Sequence, residues 1–117
     1  PSESRLLPAG EDTMNNDLIT QEALNEWLSE HSDWQVRDGA LYRTMALTNF
    51  SCAMHLANQI AVLAEQQDHH PQLNVSWGSL EIFWVSHDVK GISQRDVNLA
   101  LMTDRALQEY RRKSHAA

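Results

Sequence analysis

Between Glu65 and Asp88 the chain reads EQQDHHPQLNVSWGSLEIFWVSHD, a stretch that holds three of its six histidines. His69 and His70 are adjacent and precede Pro71, and His87 returns at the end of an apolar run. Free imidazole has a pKa near ~6.5, so it serves as acid or base near neutrality without a large perturbation. Two or three such rings in one cleft would move protons in both directions. Adjacent residues on a regular strand point to opposite faces, so His69 and His70 share a pocket only if the backbone between them is irregular, as the loop position and Pro71 allow. His87, at a strand end, would then face them across the rim of a sheet.

Other chemistries compete for the same residues. Three histidines with Glu65, Asp68 or Asp88 could bind zinc, but helical metal pairs sit four apart on one face, whereas adjacent histidines do not easily converge on one ion. A Cys-His nucleophilic site is weaker still, since Cys52 lies more than about four helical turns before the pair. A histidine pair after a helix also suits the negative end of the helix dipole. Glu65 reads by default as a solvated helix residue, Asp96 as a capping partner, and Trp77 and Trp84 as packing residues. His31, His55 and His115 fall in no constellation.

The elements that must position these rings follow from periodicity. Thr20 caps a first helix with Ala23, Leu24, Trp27 and Leu28 on one face. Two β-compatible runs flank Asp38-Gly39, a dipeptide suited to the positive φ of a tight hairpin. Leu41, Arg43, Met45 and Leu47 share one face of that hairpin, with Tyr42, Thr44 and Ala46 on the other. From Asn49 or Ser51 to about Gln67 the chain is rich in Ala, Leu and Gln without Gly or Pro, which predicts a helix burying Phe50, Met54, Ala57, Ile60, Ala61 and Ala64. It must end before Pro71, which excludes α geometry from His70.

A second hairpin turns at Gly78, with Leu80, Ile82 and Trp84 on one face and Glu81, Phe83, Val85 and His87 on the other. Ser93 and Asp96 then form the capping pattern of a third helix with two apolar stripes, one through Val97, Ala100 and Leu101 and one through Leu99, Met102, Ala106 and Tyr110. One stripe meets the sheet and the other is left for a neighbouring helix or a second subunit. The order helix, hairpin, helix, hairpin, helix predicts an α+β fold, a four-stranded antiparallel sheet with three helices packed on one face.

Composition bounds the rest. The 117 residues suffice for one domain and one core, and a hydrophobic fraction of 42% with 21% charged residues is that of a soluble globular protein. A net charge of −7 opposes direct binding to a phosphate backbone and excludes nucleic acid as the primary ligand. Cys52 is the only cysteine, which excludes an internal disulfide and points to a core residue in a reducing compartment. No apolar run is long enough to span a bilayer and no secretory signal is visible, so the protein is expected to be cytoplasmic with no membrane partner. Residues 1–16 are expected to form a disordered extension, and residues 17–117 the domain.

Glu65, His69-His70-Pro71, Trp77, His87 and Asp96, together with the segment HDVKGISQRDVNLA, resemble the signature of pterin-4a-carbinolamine dehydratases, known in animals as the dimerization cofactor of a homeodomain transcription factor. The resemblance covers roughly residues 18–112. It implies loss of water from a 4a-hydroxytetrahydropterin to give quinonoid dihydropterin, the recycling step that follows an aromatic amino acid hydroxylase, with no metal or organic cofactor. Carried over by motif position, it implies His69, His70 and His87 as catalytic residues, with His70 and His87 as the acid and base pair. Glu65, Pro71, Ser86, Asp88 and Val89 would contact or orient the pterin beside the histidines. The chain departs from many relatives at Leu73, where they carry an aromatic. A pterin needs more wall than a domain this small readily offers, which leads to the expectation of a homodimer or homotetramer. The alternative reading is a non-catalytic binding module or assembly factor on the same fold.

Overall fold

A computed structural model describes residues 18–116; the extension expected over residues 1–16 lies outside the described residues. The elements run α1 (Gln21–Glu30), β1 (Gln35–Arg37), β2 (Ala40–Ala46), α2 (Phe50–Gln67), β3 (Gln72–Ser76), β4 (Ser79–Trp84) and α3 (Gln94–Ala116). Side-chain caps start the helices: Thr20 Oγ1 accepts the Ala23 N–H at 3.1 Å, and Asn49 Oδ1 accepts the Cys52 N–H at 2.9 Å. Asp38 (φ 54°) and Gly39 (φ 77°) close the first hairpin with both central residues left-handed, and Gly78 (φ 79°) closes the second.

The four strands form one antiparallel sheet in the order β1-β2-β4-β3, with Leu41 opposite Trp84 and Leu73 opposite Ile82. Leu41 and Met45 of β2 and Leu80, Ile82 and Trp84 of β4 are buried against Leu56 and Ile60 of α2 and Ala100 and Leu107 of α3. Each such side chain contributes about 1.5–3 kcal/mol relative to exposure. This is the expected α+β architecture. Arg43 is the polar exception on the apolar face of β2, and Asp104 of α3 and Asp33 receive its guanidinium. Asp104 also accepts from Trp34 Nε1 at 3.1 Å, so a strand, a loop and a helix meet at one carboxylate.

Several burial assignments differ from expectation. The buried stripe of α2 is Ala53, Leu56, Ala57, Ile60 and Ala64, while Phe50 and Met54 are exposed at 48% and 38% and Ala61 is exposed too. The apolar arc of this helix is wider than one face, so the Phe50, Met54 and Ala61 flank stays exposed, and α3 approaches the helix at His55, whose ring lies 5.5 Å from that of Tyr110. Periodicity alone could not choose the phase. Ala23 is exposed on α1, and Trp77, at the tip of the second hairpin, is 76% exposed, whereas Trp84 is fully buried. The second stripe of α3, through Leu99, Met102, Ala106 and Tyr110, packs against the core within the same chain.

Candidate active site

The histidine pair owes its placement to the way α2 stops. Asp68 adopts a left-handed conformation (φ 52°, ψ 44°), its N–H reaches Glu65 O, and the His69 N–H reaches Ala64 O at 3.1 Å. This is a Schellman closure with aspartate where glycine is usual. It turns the chain sharply, so the two imidazoles leave the backbone in different directions before β3 begins.

His69 turns inward. Its ring stacks on Trp84 with centroids 5.9 Å apart at 14°, and its Nε2 lies 2.7 Å from Asp96 Oδ1. Asp96 is wholly buried, and its other oxygen accepts from the Ser86 hydroxyl at 2.7 Å and from the Ser93 N–H at 2.8 Å. Asp96 is therefore both the expected helix cap and the anchor of a histidine. A carboxylate only accepts, so Nε2 of His69 carries the proton and Nδ1 is left for other partners.

His70 turns outward, with its side chain 55% exposed and Nε2 2.9 Å from Glu65 Oε2 one turn back on α2. His87 rides on the loop that follows β4. Ser86 and Gly91 close that loop with backbone bonds of 2.9 and 3.2 Å in the two directions, and Lys90 (φ 57°) makes the left-handed turn inside it. The His87 imidazole is exposed and makes no hydrogen bond among the described residues.

All three rings line one cleft of about 310 Å³, together with Asp68, Val85, Asp88 and Arg95. Asp88 accepts from Arg95 at 3.0 Å, and this hydrogen bond holds its carboxyl below the usual carboxylate range. A second depression of about 210 Å³ shares His70, Val85 and His87 with the first. Among the described residues no three His, Cys, Asp or Glu side chains are grouped as metal ligands. Three imidazoles on one cleft can both donate and accept protons near neutrality.

Of the other residues singled out from the sequence, Glu65 holds His70. Ser86 is fully buried and directs its hydroxyl to Asp96 and Ser93. Pro71 and Val89 are half-buried beside the histidines in sequence, and neither lines the two depressions. Leu73 packs toward the core, so its departure from an aromatic does not alter the cleft wall. Sequence reasoning missed Arg95 and Val85 as lining residues and Trp84 as the plate under His69. The even spacing of Ile82 and Trp84 marks the buried face, but no local signal says that a histidine from another loop lies on it.

The family model described as pterin 4 alpha carbinolamine dehydratase matches residues 17–106. A protein of Photobacterium profundum named "Putative pterin-4-alpha-carbinolamine dehydratase" is 39% identical over 94 residues, 77% of this chain and 84% of that protein. The crystal structure of a transcriptional coactivator/pterin dehydratase from Brucella melitensis matches with a TM-score of 0.71 at 26% identity, covering 76% of this chain and 97% of that one. A pterin dehydratase-like protein described as a RuBisCO assembly factor in the alpha-carboxysome shares the fold, with a TM-score of 0.51 at 18% identity over 62% of this chain and 84% of that one.

Proposed function

The chain belongs to the pterin 4 alpha carbinolamine dehydratase family, and from that premise we propose that it dehydrates a 4a-hydroxytetrahydropterin to quinonoid dihydropterin by histidine acid and base catalysis. The observation that carries the reading is the single cleft lined by His69, His70 and His87. Hydroxide is a poor leaving group until an acid protonates it. One imidazole gives a proton to the C4a hydroxyl, the C4a–O bond breaks, and water departs. Another imidazole takes the N5 proton, and the N5–H electron pair becomes the second bond between C4a and N5. Nothing is oxidised or reduced, and one proton enters as one leaves.

His70 and His87, both open to the cleft, are the acid and base pair in this reading. His69, pinned between Trp84 and Asp96, holds the hydroxyl end of the substrate. Glu65 orients His70, and Asp88 with Arg95 offers a fixed polar edge to the pyrimidinone ring. An aromatic amino acid hydroxylase as the source of the carbinolamine, and a homodimer or homotetramer as the working form, belong to the same reading.

The test is the rate of carbinolamine dehydration against a no-protein blank, since the reaction also proceeds in water. His70→Ala and His87→Ala are each expected to lose about a hundredfold of the acceleration while staying folded by circular dichroism. The competing reading, a non-catalytic binding module, predicts a wild-type rate equal to the blank.

A further inference from the structure

Two depressions meet at the histidines, and they differ in character. The larger one is polar, with Asp68, Asp88 and Arg95 around His69. The smaller one has Ala40, Phe83 and Val85 as its apolar lining, with Asp38 and Gln72 at its polar rim. Of the three site histidines, only His70 and His87 border both.

The strand register explains the second depression. Phe83 lies opposite Tyr42 on one side and Gln72 on the other, and its ring is held by Tyr42 at 4.8 Å. Ala40 and Val85 lie just beyond the terminal pair of Leu41 and Trp84 and both line the depression, where the single methyl of Ala40 takes up less room than a larger side chain would. The exposed Gln72 amide makes no side-chain hydrogen bond among the described residues, so it is available to a ligand hydroxyl.

We propose that this depression is the subsite for the substituent at C6 of the pterin, with Ala40, Phe83 and Val85 taking its carbon chain and Gln72 hydrogen-bonding its hydroxyl. The inference rests on the dehydratase reading. In the carbinolamine, C6 is bonded to N5, and N5 to C4a, so the substituent begins one bond from the nitrogen that loses its proton. The base that acts on N5 must therefore also border the substituent, and both members of the acid and base pair, His70 and His87, do. The amino and lactam groups at the far end of the bicycle suit the polar cleft instead.

The experiment compares an oxidised pterin carrying a dihydroxypropyl group at C6 with one carrying hydrogen there. Their dissociation constants are measured by fluorescence quenching for the wild type, Ala40→Val and Gln72→Ala. The wild type is expected to prefer the substituted pterin, and each variant to shrink that preference about fivefold, Ala40→Val by filling the space and Gln72→Ala by removing a hydrogen bond. A preference that is absent in the wild type, or unchanged in both variants, overturns the subsite. Turnover of the two corresponding carbinolamines is followed in parallel. Binding preference without turnover would sink the dehydratase reading and leave the subsite standing; turnover with an unaltered preference would do the reverse.

Discussion

Asp96 divides its two oxygens between two tasks: Oδ1 meets His69, while Oδ2 takes the Ser86 hydroxyl and the Ser93 N–H. An amide has one accepting oxygen and cannot serve both sides. Asp96→Asn is therefore expected to lower stability by about 2 kcal/mol in urea unfolding, because a buried donor loses its partner. It should also slow dehydration about tenfold or more by freeing the His69 ring. Ser93→Ala removes a hydroxyl that bonds Ser86 and Asp96 Oδ2 and leaves Oδ1 on His69, so it should lose stability with a much smaller change in rate; equal rate losses in the two variants would show that the Asp96–His69 contact carries none of the rate. The capping half of this arrangement was legible, since Ser93 and Asp96 stand at capping-box spacing. The histidine half was not, because it joins residues 27 apart through a contact that exists only once α3 packs beside the end of α2. The loop position of His70 did follow from the sequence, through Pro71, whereas His87, expected to close an alternating strand, lies in the loop beyond it because β4 stops at Trp84.

At the scale of elements, the end of α2 sets the geometry of the histidine pair through one left-handed residue. Asp68→Gly keeps that conformation at no steric penalty and is expected to leave stability unchanged or raise it by up to about 1 kcal/mol. Asp68→Val, β-branched at φ 52°, is expected to lose about 1–2 kcal/mol. Thermal unfolding of the two variants checks the pair, and a valine variant as stable as the glycine variant would contradict the backbone argument. Helix type and the caps at Thr20, Asn49 and Ser93 could be read from local chemistry. The stopping point could be bounded only by Pro71, since nothing in Gln67-Asp68 announces a turn that glycine usually makes. The rotation of α2 about its axis was less accessible still. Phe50 and Met54 continue an apolar arc that Leu56 and Ile60 already complete, and only packing against both β4 and α3 selects among them.

For the whole molecule, the helices bury one face of the sheet and leave the other to a polar cross-strand cluster. The Tyr42 hydroxyl donates to Glu81 Oε2, Asn74 Nδ2 donates to Glu81 Oε1 at 3.1 Å, and the Arg37 guanidinium lies 4.1 Å over the Tyr42 ring. The Tyr42 hydrogen bond, then that of Asn74, holds the Glu81 carboxyl below its usual range, and the same bond raises Tyr42. The stability Glu81 contributes is thus present above the ordinary carboxylate pKa of ~4.3 and is lost as pH falls through its lowered folded value. That of Tyr42 is present below ~10 and is lost as pH rises through its raised value. Tyr42→Phe is expected to be less stable by about 1 kcal/mol at neutral pH, with the difference shrinking on acidification below ~4. A pH-independent difference would assign the loss to packing alone. The alternation of β2 and β4 foretold the antiparallel sheet and its buried face, whereas the middle position of β4 between β2 and β3 depends on long-range pairing that local pattern does not encode.

The central claim is that rings from two loops, one after α2 and one after β4, act together on one bound pterin. The most direct measurement is the carbinolamine dehydration rate of the folded His70→Ala/His87→Ala double variant, set beside the wild type and a protein-free blank. The account predicts a wild-type rate well above the blank and a double variant at or near it; a double variant as fast as the wild type would contradict it.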